Sequence, residues 1–495
     1  MSDYSTAAIC HSWWMKDHPA RNRFEQLKRQ HRTEVLVIGA GIIGLSTAIE
    51  LARRGHRVTV CEAQVIGSGT TAGSSAHLDA HPEFGARRLI DQMGLDEAKT
   101  FTKLRLQALN QIESLASSKA DFVRLPGYQY SERLDDEDQL RDECKAAAEL
   151  GLSASWCSEV PLARAACGYQ VDNMARFDCC DYLECLTEIA VDSGVAIFEK
   201  TMVAGPTEKT TAELPAGDGS VRAEHIICAT HCNFVKAKLL YAATPPYQSY
   251  LLVAKVGNPP PDALFWDKSD PYYYVRRVSE DSNSLILVGG CDHRTGTKNT
   301  VDPVQDLEAW TLDRFNVQQI VHRWSAKLFE PTDGLPMIGL APGYDNVWVA
   351  TGLSGIGLTL GTVAAQMIAD GIEGKPILLE SQLSPSRFAL SADWIKEQGV
   401  ASANMAQRVL PATDVEIDDL TSCEGTVGKV HGKQIAVCRD EHGCVHQLDP
   451  VCPHMGGVVA WNEEEQTWDC PLHGGRFTAS GERLYGPPES DLKPK

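Results

Sequence analysis

Val35-Leu36-Val37-Ile38-Gly39-Ala40-Gly41-Ile42-Ile43-Gly44 decides the fold of most of this chain. Four consecutive apolar residues predict a short buried strand, and a G-x-G-x-x-G turn follows with no residue between. Residues 45–54 carry Leu and Ala at helical spacing, and Gly55 ends that helix. Arg57-Val58-Thr59-Val60-Cys61 predicts the next strand, with Glu62 at its end. Strand, turn, helix, strand and terminal acid make a complete dinucleotide-binding βαβ unit. Gly39 serves the tight turn, Gly41 lets a pyrophosphate approach the backbone, and Gly44 lets helix and strand pack. The helix start at Ile42 and Ile43 faces the phosphates. Glu62, followed by Ala63, stands where a carboxylate would bind an adenosine ribose.

Three further segments belong with this unit. Gly67-Ser68-Gly69-Thr70-Thr71-Ala72-Gly73-Ser74-Ser75 is a small-residue loop suited to wrapping a pyrophosphate and a flavin edge. A nicotinamide domain would continue instead with regular βα units, so the expected cofactor is FAD. His225-Ile226-Ile227-Cys228 predicts a strand running into Ala229 and Thr230. Residues 346–350 predict another, leading into Thr351-Gly352-Leu353-Ser354-Gly355-Ile356-Gly357-Leu358-Thr359 and a helix at 363–370. No acid follows that second turn, which favours a backbone that approaches the flavin over a second nucleotide site. Residues 89–150 read as mostly helical, 176–195 as a helix, and 247–256 and 284–288 as strands. Tyr272-Tyr273-Tyr274-Val275-Arg276 alternates as a strand does.

A different texture begins near residue 408, with short strands and turns. Within it stand Cys452-Pro453-His454 and, fifteen residues later, Cys470-Pro471-Leu472-His473. Cys452, His454, Cys470 and His473 follow the ligand order of a Rieske [2Fe–2S] centre, in which two Cys hold one iron and two His the other. Glycines after each half let the loops fold tightly around a cluster. A zinc site with mixed ligands is the alternative.

The length of 495 residues suits about three domains. No uninterrupted apolar run approaches the ~18 residues of a membrane span, and no secretory signal pattern opens the chain. Sixteen Cys form no regular framework, so a reduced, cytoplasmic setting is expected. A formal charge of −20 argues against nucleic acid and anionic membranes as partners.

The segments 35–71, 265–276, 333–339 and 350–361 together resemble the D-amino-acid-oxidase-like FAD family, also called the glycine oxidase and sarcosine oxidase group. The whole chain resembles its branch with a fused C-terminal Rieske domain. The resemblance implies an α/β Rossmann-type FAD-binding domain, an α+β substrate domain on an antiparallel sheet, and a small all-β Rieske domain. The expected division is an arm at 1–32, the oxidoreductase region at 33–375, a connector at 376–407 and the Rieske domain at 408–488. Within the oxidoreductase region, 33–85, 160–232 and 333–375 fall to FAD, and 86–159 and 233–332 to substrate.

The family oxidises the C–N bond of an amine or amino acid, so a small molecule of that class is the expected substrate. The acceptor after the cluster is left between oxygen and a protein, and a homo-oligomer is compatible with the reading. Some relatives tether FAD through a His where this chain has Gly73, with His77 four residues on, which implies non-covalent FAD here. Others carry a His at the position of Leu360. Several relatives grip a substrate carboxylate with an Arg, for which Arg276 and Arg323 are the candidates. Tyr272 and Tyr274 are candidates to shape the pocket, and His293 to carry a proton. High-potential Rieske proteins have an extra Cys pair at the positions of Gly457 and Leu472, and cluster-facing hydroxyls at those of Gly475 and Phe477. Electrons are expected to leave the reduced flavin one at a time through the cluster. The competing readings are an NAD(P)H-fed reductase serving an oxygenase, an oxygenase proper, and a redox sensor. An oxygenase needs two His and a carboxylate on a mononuclear iron, and no such cluster stands out.

Overall fold

The computed structural model describes residues 12–16, 23–210, 212–235, 237–279, 284–297, 302–387, 391–408 and 413–495. Residues 1–11 and 17–22 of the expected arm, 388–390 of the connector and 409–412 of the Rieske domain lie outside them. Trp14 of the arm is buried and its indole N–H donates to the Ser74 carbonyl at 2.8 Å.

The apolar run at residue 35 becomes the strand Val35–Ile38, buried at every position. Such a strand needs cover on both faces, which a parallel sheet flanked by helices supplies. Six described strands form that sheet, in the order Met337–Leu340, Val347–Thr351, His225–Cys228, Val35–Ile38, Val58–Cys61, Ala196–Phe198. All neighbours run parallel except the first pair. The chain continues from Val35–Ile38 to one neighbour, and the other arrives from far along the sequence. A crevice therefore opens at their carboxyl ends, where open α/β sheets bind ligands. Helix Ile42–Arg53 covers the sheet and packs on helix Gly357–Ile372. That second helix begins six residues before the expected 363. With the preceding turn, residues 354–372 are long and apolar enough to cross a membrane. Its apolar surface is instead mostly buried, against Ile42–Arg53 and Leu95–Leu115.

A second sheet of nine described strands carries the substrate side. Its main path runs Val317–Phe329, Pro246–Val256, Leu285–Arg294, Tyr273–Arg277, Leu264–Asp267, Val123–Ser131, Cys167–Arg176, His77–Leu78. The pairing is antiparallel except between Leu264–Asp267 and Val123–Ser131. The expectation of mostly helix over 89–150 holds for most of that span, with one unexpected element. Helices Ala86–Met93, Leu95–Leu115 and Glu137–Glu149 are present, but Val123–Ser131 is a central strand. Pro126 and Gly127 hid it. The register shifts between Leu125 and Gly127, which accommodates the proline. Gly127 is needed because a Cβ there would lie 2.7 Å from the Trp266 ring.

The C-terminal module has two small antiparallel sheets around Trp468 and Phe477, both fully buried. Helix Ala392–Ala406 of the connector ties it down at both ends. Glu397 accepts from Arg294 at 2.5 Å and from the Tyr247 hydroxyl at 3.1 Å. Asn404 exchanges two 3.1 Å hydrogen bonds with the backbone of Val458, beside the first cluster loop.

Candidate active site and cluster site

A cavity of about 670 Å³ occupies the crevice at the strand ends and extends under the substrate sheet. Gly39, Gly41, Ile42, Ile43, Glu62, Ala63, Ser68, Gly69, Thr70, Thr71, Ala229, Thr230, Ser354, Gly355, Ile356, Gly357 and Leu358 all line it. Three expected contacts do not. Gly44 faces the turn behind, Gly352 lines a separate small cavity, and the Thr359 hydroxyl donates to the Asp79 carbonyl at 3.1 Å. Gly39 has φ +102°, and a Cβ on it would sit 2.6 Å from the Ala229 carbonyl oxygen. Gly41, the N-cap of Ile42–Arg53, offers no capping side chain, so the helix start stays open to a ligand. Thr71 Oγ1 accepts from the Ile42 N–H at 3.2 Å. Glu62 accepts from the Ala40 N–H at 2.9 Å and the Gln64 N–H at 3.0 Å, which fixes it at the strand end. This donor set, with the open helix start and the fixed acid, fits a flavin dinucleotide.

At the substrate end Tyr272 and Tyr274 line the cavity, with ring centroids 5.8 Å apart. The three polar candidates do not reach it, and each is corrected. Arg276 is fully buried behind the wall, where its guanidinium donates to the carbonyls of Ser75, Arg277 and Val278. Burial and the nearby Arg176 push it down to about 9. Arg323 lies on the outer face of its strand and pairs with Glu308. His293 stacks on Tyr250 at 5.5 Å. The polar groups that do line this end were missed: His77, Asp79, His81 and Glu83, with Trp266 beside them. Asp79 pairs with the buried Arg105 at 3.2 Å. Both imidazoles are held neutral by burial, His77 well below its ordinary value and His81 at about 3. Only the fold gathers these residues. In the sequence they are scattered polar positions in a short strand and loop.

The two cluster loops are near-copies. Cys452 N–H donates to the Gly457 carbonyl at 2.8 Å and Gly456 N–H to the Cys452 carbonyl at 3.1 Å. Cys470 repeats the pattern with Gly475 at 2.7 Å and Gly474 at 2.9 Å. Both sulfurs are buried, and the rings of His454 and His473 lie 5.1 Å apart. A Cβ on Gly457 would stand 3.1 Å from Cys470 Sγ. This donor set, with two thiols inside and two imidazoles at the tips, fits a Rieske cluster. Gly457 packs directly on Leu472, where a disulfide pair would otherwise lie. Gly475 and the buried Phe477 present no hydroxyl. With fewer donors to the reduced cluster, its potential is expected near the low end of the Rieske range of about −150 to +300 mV. A redox titration giving a value above about +100 mV would overturn this.

The histidine tips face inward. Tyr241 packs against both, at 4.9 Å from His454 and 4.7 Å from His473. Tyr485, Arg476 and Arg483 of the same module line the large cavity. His231, at the end of strand His225–Cys228, joins the two parts. Its Nδ1 lies 2.8 Å from the Tyr485 hydroxyl and 3.1 Å from that of Thr70. Burial, with Lys327 adding to it, holds this imidazole neutral at about 4, so Nδ1 can accept from either hydroxyl.

A dinucleotide cavity that opens onto an antiparallel substrate sheet, beside a two-loop cluster site, defines a flavoprotein oxidoreductase with an iron–sulfur module. Residues 34–371 match the family described as DAO, FAD dependent oxidoreductase, and residues 409–494 match the Rieske [2Fe-2S] domain. The chain belongs to the DAO family of FAD-dependent oxidoreductases and carries a C-terminal Rieske domain. Its cofactors are FAD and a [2Fe–2S] cluster. It is 29% identical over 481 residues to YhfW of Bacillus subtilis (strain 168), named for a Rieske 2Fe-2S iron-sulfur protein, covering 95% of this chain and 94% of that one. A glycine oxidase of Pseudomonas aeruginosa is 25% identical over 384 residues, 71% of this chain and 98% of its own. Among solved structures, L-proline dehydrogenase from P. horikoshii superposes with a TM-score of 0.62 at 19% identity, covering 73% of this chain and 98% of that one. Glycine oxidase from Geobacillus kaustophilus gives 0.60 at 19%, covering 73% and 100%.

Proposed function

We propose that this chain oxidises the C–N bond of a small amine or amino acid and that the electrons leave through its own Rieske centre. The wall shared by the two parts supports this most. Tyr485, Arg476 and Arg483 of the C-terminal module line the cavity that holds the G-x-G-x-x-G turn. The cluster-ligand histidines point back onto Tyr241 of the oxidoreductase region. Relatives and structural neighbours are named glycine oxidase, L-proline dehydrogenase and L-amino acid deaminase, which favours an amine or amino acid as substrate. FAD supplies a two-electron acceptor and the cluster a one-electron carrier. The protein's own share is positioning. Glu62 and the Thr70–Thr71 loop hold the dinucleotide, Tyr272 and Tyr274 exclude water from the substrate end, and Tyr241 fills the space beside both imidazoles.

An anaerobic absorption spectrum tests the reading, taken before and after a panel of amines and amino acids, with NADH in parallel. Bleaching of the flavin by an amine or amino acid, followed by loss of cluster absorbance, is the expected result. Bleaching by NADH alone would show a reductase that feeds another enzyme. In the same assay Tyr241→Leu is expected to leave flavin bleaching intact and to slow cluster reduction. An unchanged cluster rate would remove Tyr241 from the route.

A further inference from the structure

The charges at the substrate end are one-sided. Glu83 accepts from the Gly355 N–H with both carboxylate oxygens, at 3.0 and 3.1 Å, and the Tyr272 hydroxyl lies 3.4 Å from one of them. Gly355 belongs to the turn that opens helix Gly357–Ile372, so this carboxylate sits where the nucleotide half of the cavity meets the substrate half. Behind it lie Asp292 and Glu330. Both Asp292 oxygens are sealed from solvent without a well-aligned donor, and the cavity-lining Ser249 is the group that eases their burial. Burial and mutual repulsion push Glu83 up to about 8 and Glu330 well above the carboxylate range, and burial alone pushes Asp292 to about 7. Among the described residues none of the three has a Lys or Arg within ion-pair distance, while Asp79 has Arg105.

Among the described residues, each cation that lines the cavity has a partner of its own. Lys268 pairs with Asp136 at 3.0 Å. Lys327 donates to the Gly474 carbonyl at 2.6 Å, Arg476 binds Asp469, and Arg483 donates to the Pro488 carbonyl. Among the described residues neither guanidinium that lines the cavity, Arg476 or Arg483, is without such a partner. With no cation paired to it, Glu83 is readily ionised only when a positive group arrives beside it, and the carboxylate of a zwitterionic amino acid would oppose that ionisation in this low-dielectric site. A cationic nitrogen meets the opposite arrangement: a carboxylate, and aromatic faces from Tyr272, Tyr274 and Trp266 that favour cations.

We propose that the substrate is a cationic amine without a carboxylate, its ammonium held by Glu83 against Tyr272 and Tyr274. This rests on the amine-oxidising reading above and narrows it.

The test uses the holoenzyme and two probes of similar size and opposite charge, trimethylphenylammonium and benzoate. Binding is read from the flavin difference spectrum and by calorimetry. The ammonium is expected to bind about tenfold tighter than benzoate, and Glu83→Gln to remove that preference. Glu83→Asp should restore part of it. Bound flavin and cluster absorbance report whether each variant is folded. Equal or tighter binding of benzoate, or an unchanged ammonium constant in folded Glu83→Gln, would overturn the inference. Anaerobic reduction separates it from the wider reading. If amino acids bleach the flavin and simple amines do not, only the substrate class falls. If neither class does and NADH does, both fall.

Discussion

An Asp469→Ala variant is expected to lose about 3–5 kcal/mol of stability and to release the C-terminal module from the substrate sheet. Asp469 is 2% exposed and accepts from Arg476 twice at 2.8 Å, once on each carboxylate oxygen. Lys327, 5% exposed on the strand Val317–Phe329, reaches the same carboxylate at 3.5 Å. Arg476 also donates to Gln248 at 3.0 Å across the same seam. The two cations hold Asp469 far below the usual carboxylate range despite full burial. Removing it leaves the buried Lys327 without a carboxylate and Arg476 with only Glu465, at 3.5 Å, as a counter-charge. Lys327→Met takes one cation from the other side and leaves the Asp469–Arg476 pair closed, so its loss should be nearer 1–2 kcal/mol. Thermal unfolding, with proteolysis at the connector, reads both. Small and equal shifts would mean that the seam is wet and the charges are not coupled.

Gly44→Ala is expected to yield a protein without flavin. A Cβ at this position would lie 1.9 Å from the Gly39 carbonyl oxygen and 3.3 Å from Val37 Cγ1. Both belong to the turn and strand that hold the nucleotide, so relief comes only by lifting helix Ile42–Arg53 off the sheet. Overpacking of this kind costs about 1–3 kcal/mol or more. Here the cost falls on the helix start that faces the pyrophosphate. Gly55→Ala is the control. Its φ is +95° but nothing lies within 4 Å of the added Cβ, so it should cost only about 1–2 kcal/mol of backbone strain and keep its flavin. Flavin absorbance per chain after desalting reads the difference. A full flavin complement in Gly44→Ala would show that the helix can shift without opening the site.

The parts legible in the sequence were those written in consecutive residues. The apolar run, the glycine turn and Glu62 sit within thirty positions, and local sterics dictate their geometry. The same holds for the Cys-x-His and Cys-x2-His loops, whose spacing carries their chemistry. The strand Val123–Ser131 was illegible because Pro126 and Gly127 break the alternation that marks strands, and tertiary pairing overrides that signal. The substrate end was illegible for another reason. Glu83, Asp292 and Glu330 come from three distant segments, and nothing local distinguishes them from other acids in a chain of charge −20. Arg276 misled because relatives hold a substrate carboxylate with an Arg, and nothing in the sequence shows which arginine faces the cavity. Its side chain instead satisfies buried carbonyls and lies over the Trp14 ring at 5.0 Å.

The inward-facing cluster tips have a kinetic corollary. Where donor and acceptor are separate proteins, electron delivery slows with dilution and with salt, because each transfer waits for an encounter. Here the docked module fixes the local concentration of one centre around the other. Under the proposed route, delivery to the cluster becomes a first-order event set by the fold. It should keep one rate constant from nanomolar to micromolar protein and from low to high ionic strength, and only the later hand-over to an outside acceptor should respond to either.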